Sequence, residues 1–327
     1  MPDTYISQFS GEEIDATLRA AQIISGADTP AELRKKLEIR GDTIPVSATD
    51  PTPISEALTT SGGGVNPNLL DNWYFGRPVN QRGQTSYSTE WGYTIDRWQV
   101  ASNSTLTINN GSVSLTGDYV FEPLEEIADA LKGKTVTVSL LFATGELEFA
   151  TGVVPTTWGE WTDIVHSNHV GLQGVAKESK RLWFRIFTNA KNILAAKLEL
   201  GSTQTLAHKE GDKWVLNEIP DYGEQLRRCQ RYFVRLTNAY GYGWTYNSSI
   251  ANFFVSLPTT MRANPVIKLT TNGEIQTING AKTVTGFEAK GIHPNGFAID
   301  LHNSANALIT GTPVTWHSSS MDISADL

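Results

Sequence analysis

From about residue 66 onward, apolar and polar positions alternate in short runs. Leu106-Thr107-Ile108-Asn109 and Ser112-Val113-Ser114-Leu115 flank Asn110-Gly111, and Asn-Gly between two alternating runs predicts a β-hairpin. Val136, Val138, Leu140 and Phe142 alternate next, and residues 182–187 and 193–200 read as later strands. A short helix is expected between Pro123 and Leu131. Many short strands with frequent turn residues and no βαβ rhythm predict a jelly-roll-like β-sandwich over 65–203.

Both ends depart from this pattern. Ser10-Gly11-Glu12-Glu13 has capping-box spacing, followed by Ile14, Leu18 and Ala21 at helical intervals. Thr29-Pro30-Ala31-Glu32 opens a second helix that carries Leu33 and Leu37. Neither helix is long enough to stand alone, so each packs on its own domain, on other copies or on a larger assembly. Residues 44–64, with Pro45, Pro51, Pro53 and Gly62-Gly63-Gly64, read as an extended linker, which makes 1–64 an attachment or oligomerisation segment. Residues 204–220 read as a connector. Pro220-Asp221-Tyr222-Gly223-Glu224 then opens a helix, with Asp221 as cap, Glu224 at the reciprocal position and an apolar stripe of Tyr222, Leu226, Cys229 and Phe233. Cys229 reads as a buried helix residue. Turns at Asn272-Gly273 and Asn279-Gly280 and alternation after Val314 make 221–327 a second β-sandwich with a leading helix.

Composition sharpens the class. Hydrophobic residues make up 39% and charged residues 18% of 327 residues, which suits folded cores rather than disorder. A net charge of −8 with no basic segment argues against nucleic acid as partner. One cysteine leaves no intrachain disulfide. The N-terminal residues show no signal-peptide pattern and no stretch has transmembrane length, so synthesis in a cytoplasm and no membrane insertion are expected.

Reactive chemistry is sparse. Gly133-Lys134-Thr135 resembles the end of a phosphate loop, but Ala128 stands where that motif needs glycine. His166 and His169 lack nearby ligands for a zinc site, and Asp300 and His302 lack a nucleophile. Glu146 and Glu148 would share a strand face, but glycoside hydrolysis needs a second carboxylate across the sugar. No catalytic residue is assigned.

Aromatic clusters are what remain: Trp91 and Tyr93, Trp158 and Trp161, and Tyr240, Tyr242, Trp244 and Tyr246. Such rings present rigid apolar faces that can stack on the C–H faces of sugars. Trp98 and Trp183 are expected in the core. The last four rings have period two, so on a strand they form either a packed face or an aromatic platform.

Several blocks resemble a module of tail-fibre and related receptor-binding proteins of tailed phages and prophages: residues 68–75 (NLLDNWYF), 78–83 (PVNQRG), 93–98 (YTIDRW) and 197–202 (KLELGS). Residues 224–233 are similar to the helix that often follows it, and 261–265 and 323–327 to its usual C-terminal segment. The resemblance covers about 66–327. It implies a jelly roll like carbohydrate-binding modules, a virion location, a homotrimer, attachment to other virion proteins through the N-terminus and recognition of a host surface glycan. It carries no catalytic residue and no cofactor. Some such modules hold a structural Ca2+, for which Asp71 and Glu199 are the candidates. Arg82, Asp96 and Arg97 in these blocks are expected to form an ion-pair network that fixes loop shape. The competing expectations are a purely structural head-fibre, decoration or baseplate protein, and a polysaccharide depolymerase.

Overall fold

The computed structural model describes residues 66–326 apart from 125, 160, 176–180, 188–189 and 191, together with the backbone of 45–47 and 50–53. The expected N-terminal helices, with Ile14, Leu18, Leu33 and Leu37, lie outside the described residues. Where an extended linker is expected, β1 (Pro45–Ser47) pairs antiparallel with β2 (Asp50–Pro53).

Residues 65–327 form one compact unit, mainly β, with two apolar cores. The first core belongs to β3 (Ser86–Tyr87), β4 (Gln99–Val100), β5 (Thr105–Asn109), β6 (Ser112–Thr116), β7 (Tyr119–Pro123), β8 (Thr135–Phe142), β9 (Leu147–Val153), β10 (Thr162–His166), β11 (Val170–Val175), β12 (Arg181–Phe187) and β13 (Ile193–Leu200), with the short helix α1 (Ala128–Leu131) before β8. These strands form a five-stranded sheet in the order β10-β11-β12-β7-β4 and a six-stranded sheet in the order β3-β5-β6-β13-β8-β9. Val120, Leu172 and Phe184 from one sheet and Leu115, Leu140 and Leu198 from the other share the core with Trp98. Each such fully buried side chain contributes roughly 1.5–3 kcal/mol. The hairpin of β14 (Ala207–Glu210) and β15 (Lys213–Leu216) belongs here too. Leu206 and Ala207 are buried in this core, and Trp214 and Leu216 pack against it. Much of the expected connector is therefore part of the first sandwich, because its alternating apolar residues have a face to cover.

The helix α2 (Tyr222–Gln230) leads into β16 (Phe233–Thr245), β17 (Ile250–Ser256), β18 (Val266–Thr271), β19 (Glu274–Thr277), β20 (Gly280–Thr283), β21 (Gly286–His293), β22 (Gly296–His302) and β23 (Pro313–Ser324). All eight strands belong to one sheet in the order β20-β19-β23-β16-β17-β22-β21, with β18 also paired to β23. Phe253, Phe297, Ile299, Trp316 and Met321 lie in its core. Asp221 caps α2 by accepting the Glu224 N–H at 2.8 Å, while the Glu224 carboxylate turns to Arg227 instead of back to the cap. Cys229 is buried as expected. Phe233, expected to extend the helical stripe, instead begins β16, and the other buried side chain of α2 is Gln225.

Polar contacts join the two cores. Gln225 Oε1 accepts the Asn72 N–H at 2.8 Å. Arg82 binds Asp96 at 2.8 Å and Asp326 at 2.6 Å, and Arg235 binds Asp322 at 2.6 Å and the Arg82 carbonyl at 2.5 Å. Arg97 faces Asp71 at 3.3 Å and Glu122 at 3.6 Å, and its guanidinium lies 3.5 Å above the Tyr232 ring. Of the network expected of Arg82, Asp96 and Arg97, the Arg82–Asp96 pair is present, whereas Arg97 pairs with Asp71 and Glu122, and Arg82 reaches on to Asp326 beside the second core.

Candidate functional site

The outer face of the five-stranded sheet carries an aromatic floor. On β12, Leu182, Phe184 and Ile186 point into the core, so Arg181, Trp183 and Arg185 take the opposite face. Trp183, expected in the core, is thus only half-buried. Its indole stacks on Phe121 of β7 at 4.3 Å and 23°, and Tyr119 lies 5.9 Å from Phe121.

Two further tryptophans cover this floor from loops. Trp91 sits in a turn closed by the Gly92 N–H to the Thr89 carbonyl at 2.8 Å. Trp161 lies between Gly159 and Thr162, whose hydroxyl accepts the Gly159 N–H at 3.1 Å. Both have left-handed backbones, with φ of 56° and 55°. For a bulky side chain that conformation costs on the order of 1–3 kcal/mol, so it persists only where the surroundings hold it. The Trp91 ring is 6.1 Å from Phe121 and 6.3 Å from Trp183, and Trp161 stands edge-on to Trp183 at 5.3 Å. Trp91 and Trp161 remain 46% and 51% exposed. Beside them, Arg185 lies 3.9 Å above the Tyr119 ring and donates to Gln173, whose amide donates to Asp163 at 3.2 Å. Burial holds the Arg185 guanidinium below its ordinary pKa. The result is an apolar floor with raised ring edges and a polar border, suited to hold a molecule with one apolar face.

The remaining predicted residues are distributed elsewhere. Tyr93 is half-buried, bridges to Gln99, and has the Arg82 guanidinium 5.1 Å above its ring, so it belongs with the contacts between the cores. Trp158 packs against the first core over Gly174, where a Cβ would come within 2.6 Å of the indole. Tyr240, Tyr242 and Trp244 stand on the outer face of β16, and Tyr246 follows just beyond the strand. All four are 60–76% exposed, and Tyr240 and Tyr242 meet edge-to-face at 5.3 Å. Gly243 pairs with Phe253 across β17, so Tyr242 and the exposed Phe254 share that outer face. Its border is polar: Asn252 donates to Asp300 at 2.7 Å, and Lys290 binds Asp300 at 2.5 Å.

Asp71 and Glu199, the candidate Ca2+ ligands, each meet cations of the chain itself. Asp71 lies between Arg97 and Arg228, the latter at 2.7 Å. Glu199 is buried with the Lys197 ammonium at 3.7 Å and accepts the Thr205 N–H at 2.7 Å. Among the described residues no group of three or more His, Cys, Asp or Glu is placed to hold a metal. A cavity of about 190 Å³ beside α2 is lined by Asp71, Glu122 and Glu126 together with Arg97, Arg228 and Arg231, so its acids are matched by arginines. Glu148 is held by His169 at 2.7 Å and by the Ser167 hydroxyl at 3.1 Å.

Trp183, Phe121, Tyr119 and Arg185 were not expected at a site. The signal that could have placed Trp183 is the alternation of Arg181 and Arg185 with Leu182, Phe184 and Ile186, which puts it on the arginine side of the strand.

No protein-family model matches the chain, and no curated protein matches it. Among solved structures, recombinant discoidin II of Dictyostelium discoideum superposes over 66% of this chain and 82% of its own, at 10% identity and a TM-score of 0.19. A TM-score that low does not establish a shared fold.

Proposed function

We propose that the chain is a non-catalytic, glycan-binding subunit of a tailed-phage virion, and that the Trp91–Trp183–Trp161 row is where the sugar lies. The observation that carries this reading is a pair of half-exposed tryptophans, both held at positive φ over a stacked Trp183–Phe121 floor. Rings fixed in advance lose little entropy on binding, and their faces match the C–H faces of a pyranose. The virion role rests on the sequence blocks at 68–75, 78–83, 93–98 and 224–233, which resemble phage receptor-binding proteins. The same resemblance supports a homotrimer attached to other virion proteins through residues 1–64. One site of this kind binds at millimolar strength, about −4 kcal/mol, and several on one particle raise avidity by about 10²–10⁴.

A glycan array of bacterial surface polysaccharides, probed with the purified protein and with Trp161→Ala and Trp183→Ala, tests the reading. Retention of glycans by the parent protein and their loss in both variants supports it. Equal retention by all three proteins overturns the assignment of the site. Shortening of polysaccharide chains during the incubation overturns the non-catalytic part and favours a depolymerase.

A second reading is a structural virion protein that binds only other virion proteins. The outer face of β16 and β17 favours it, because Tyr240, Tyr242, Trp244 and Phe254 form a contiguous exposed aromatic row, a feature typical of protein interfaces. A silent array together with a Trp244→Ala variant that no longer assembles would select this reading.

A further inference from the structure

We propose that the tryptophan platform selects acidic glycans, with Arg185 holding a sugar carboxylate while the ring lies on Trp183. This rests on the glycan-binding reading above and deepens it. Arg181, Trp183 and Arg185 share the outer face of β12. Among the described residues neither arginine has a carboxylate within ion-pair distance, whereas Arg82, Arg228, Arg231 and Arg235 each do.

Among the described residues Arg185 is positioned without a direct ion pair. Its guanidinium carbon lies 3.9 Å from the centre of the Tyr119 ring, its Nη1 donates to the neutral carboxamide of Gln173, and its Nε is buried without a partner. Asp163, the nearby acid, accepts from Gln173 instead. A half-buried cation with Asp163 acting on it only from beyond ion-pair distance is incompletely compensated, and an anion arriving from outside relieves it. The planar guanidinium fork matches a carboxylate in two-point contact, and the adjacent indole supports the ring that bears it. On a chain of net charge −8, this makes the platform the place where an anionic sugar is drawn in rather than repelled.

Calorimetric titration tests the proposal with two probes, a hexuronate oligosaccharide and a sialylated oligosaccharide, each beside its carboxyl-reduced counterpart. The expected result is that at least one acidic probe binds about tenfold tighter than its reduced form at low salt, with the advantage shrinking at high salt. Arg185→Gln brings the ratio of acidic to reduced binding to about one. Arg185→Lys, which keeps the charge without the fork, retains part of the preference. Equal binding of acidic and reduced forms by the parent protein overturns this inference and leaves the platform standing. So does a preference that survives Arg185→Gln. Binding of neither form, with Trp183→Ala making no difference, overturns the platform along with it.

Discussion

A methyl group at Gly243 would sit 2.1 Å from the Asn252 carbonyl oxygen and 2.6 Å from the Phe253 ring, whereas one at Gly241 would meet Trp316 at 3.5 Å, an ordinary contact. Gly243→Ala should therefore lower stability by about 2 kcal/mol in urea unfolding, and Gly241→Ala by well under 1 kcal/mol. Equal effects would show that close approach of Phe253 is not what requires glycine. Lys197 makes a similar point about buried charge. Lys197→Met leaves Glu199 buried without its cation and should cost about 3 kcal/mol, while Lys197→Met with Glu199→Leu should recover most of the loss. At this scale the sequence was readable where partners sit close in the chain, as Arg82 and Asp96 do. It misled at Trp183, whose apolar neighbours suggested core, because a run such as Leu182-Trp183-Phe184 does not reveal which side of the strand is wet.

Local rules located the elements well. The Asn110-Gly111 turn joins β5 to β6 with Asn109 paired to Ser112, and Gly111 takes positive φ. Asp221→Ala, which removes the α2 cap, should cost about 1 kcal/mol in thermal unfolding. Gln225→Leu should cost about 1–3 kcal/mol, since it strands the buried Asn72 N–H, and Gln225→Glu, which keeps the acceptor, should cost less. Matching losses would mean that packing, not the hydrogen bond, holds α2 in place. The aromatic run at 240–246 was open to a loop or a strand reading, because its glycines suit loops while its period suits a strand. Pairing with β17 and β23, remote in sequence, decided for the strand. The platform was hidden for the same reason: its rings come from residues 91, 119–121, 161 and 183, which no sequence window brings together.

At the scale of the molecule, the contacts between the cores carry buried carboxyls whose titration is visible from outside. Burial pushes Asp96 up to about 6 despite Arg82, and raises Asp326 and Glu122 as well. A carboxyl with a raised folded-state pKa keeps its proton where the unfolded chain has released it. For Asp96, stability is then greatest below about pH 4 and falls as pH rises toward 6, by on the order of 1 kcal/mol per pH unit, and the raised Asp326 and Glu122 act in the same direction. Scanning calorimetry should give a higher Tm at pH 5 than at pH 7.5, and Asp96→Asn should flatten that slope. A Tm that rises with pH across this range would contradict the assignment.

The ion pair from Arg82 to Asp326 spans 244 positions of sequence. During synthesis, strands through Leu216 can close the first core while Asp326 is still unmade, roughly 110 residues and on the order of ten seconds away at ordinary elongation rates. Until then Arg82 has Asp96 but not its second acid, and the surface that will receive the later strands stays open to solvent. The interval between completing one core and locking it to the other is when a growing chain is most exposed to pairing with the wrong neighbour, including a second nascent copy on the same message.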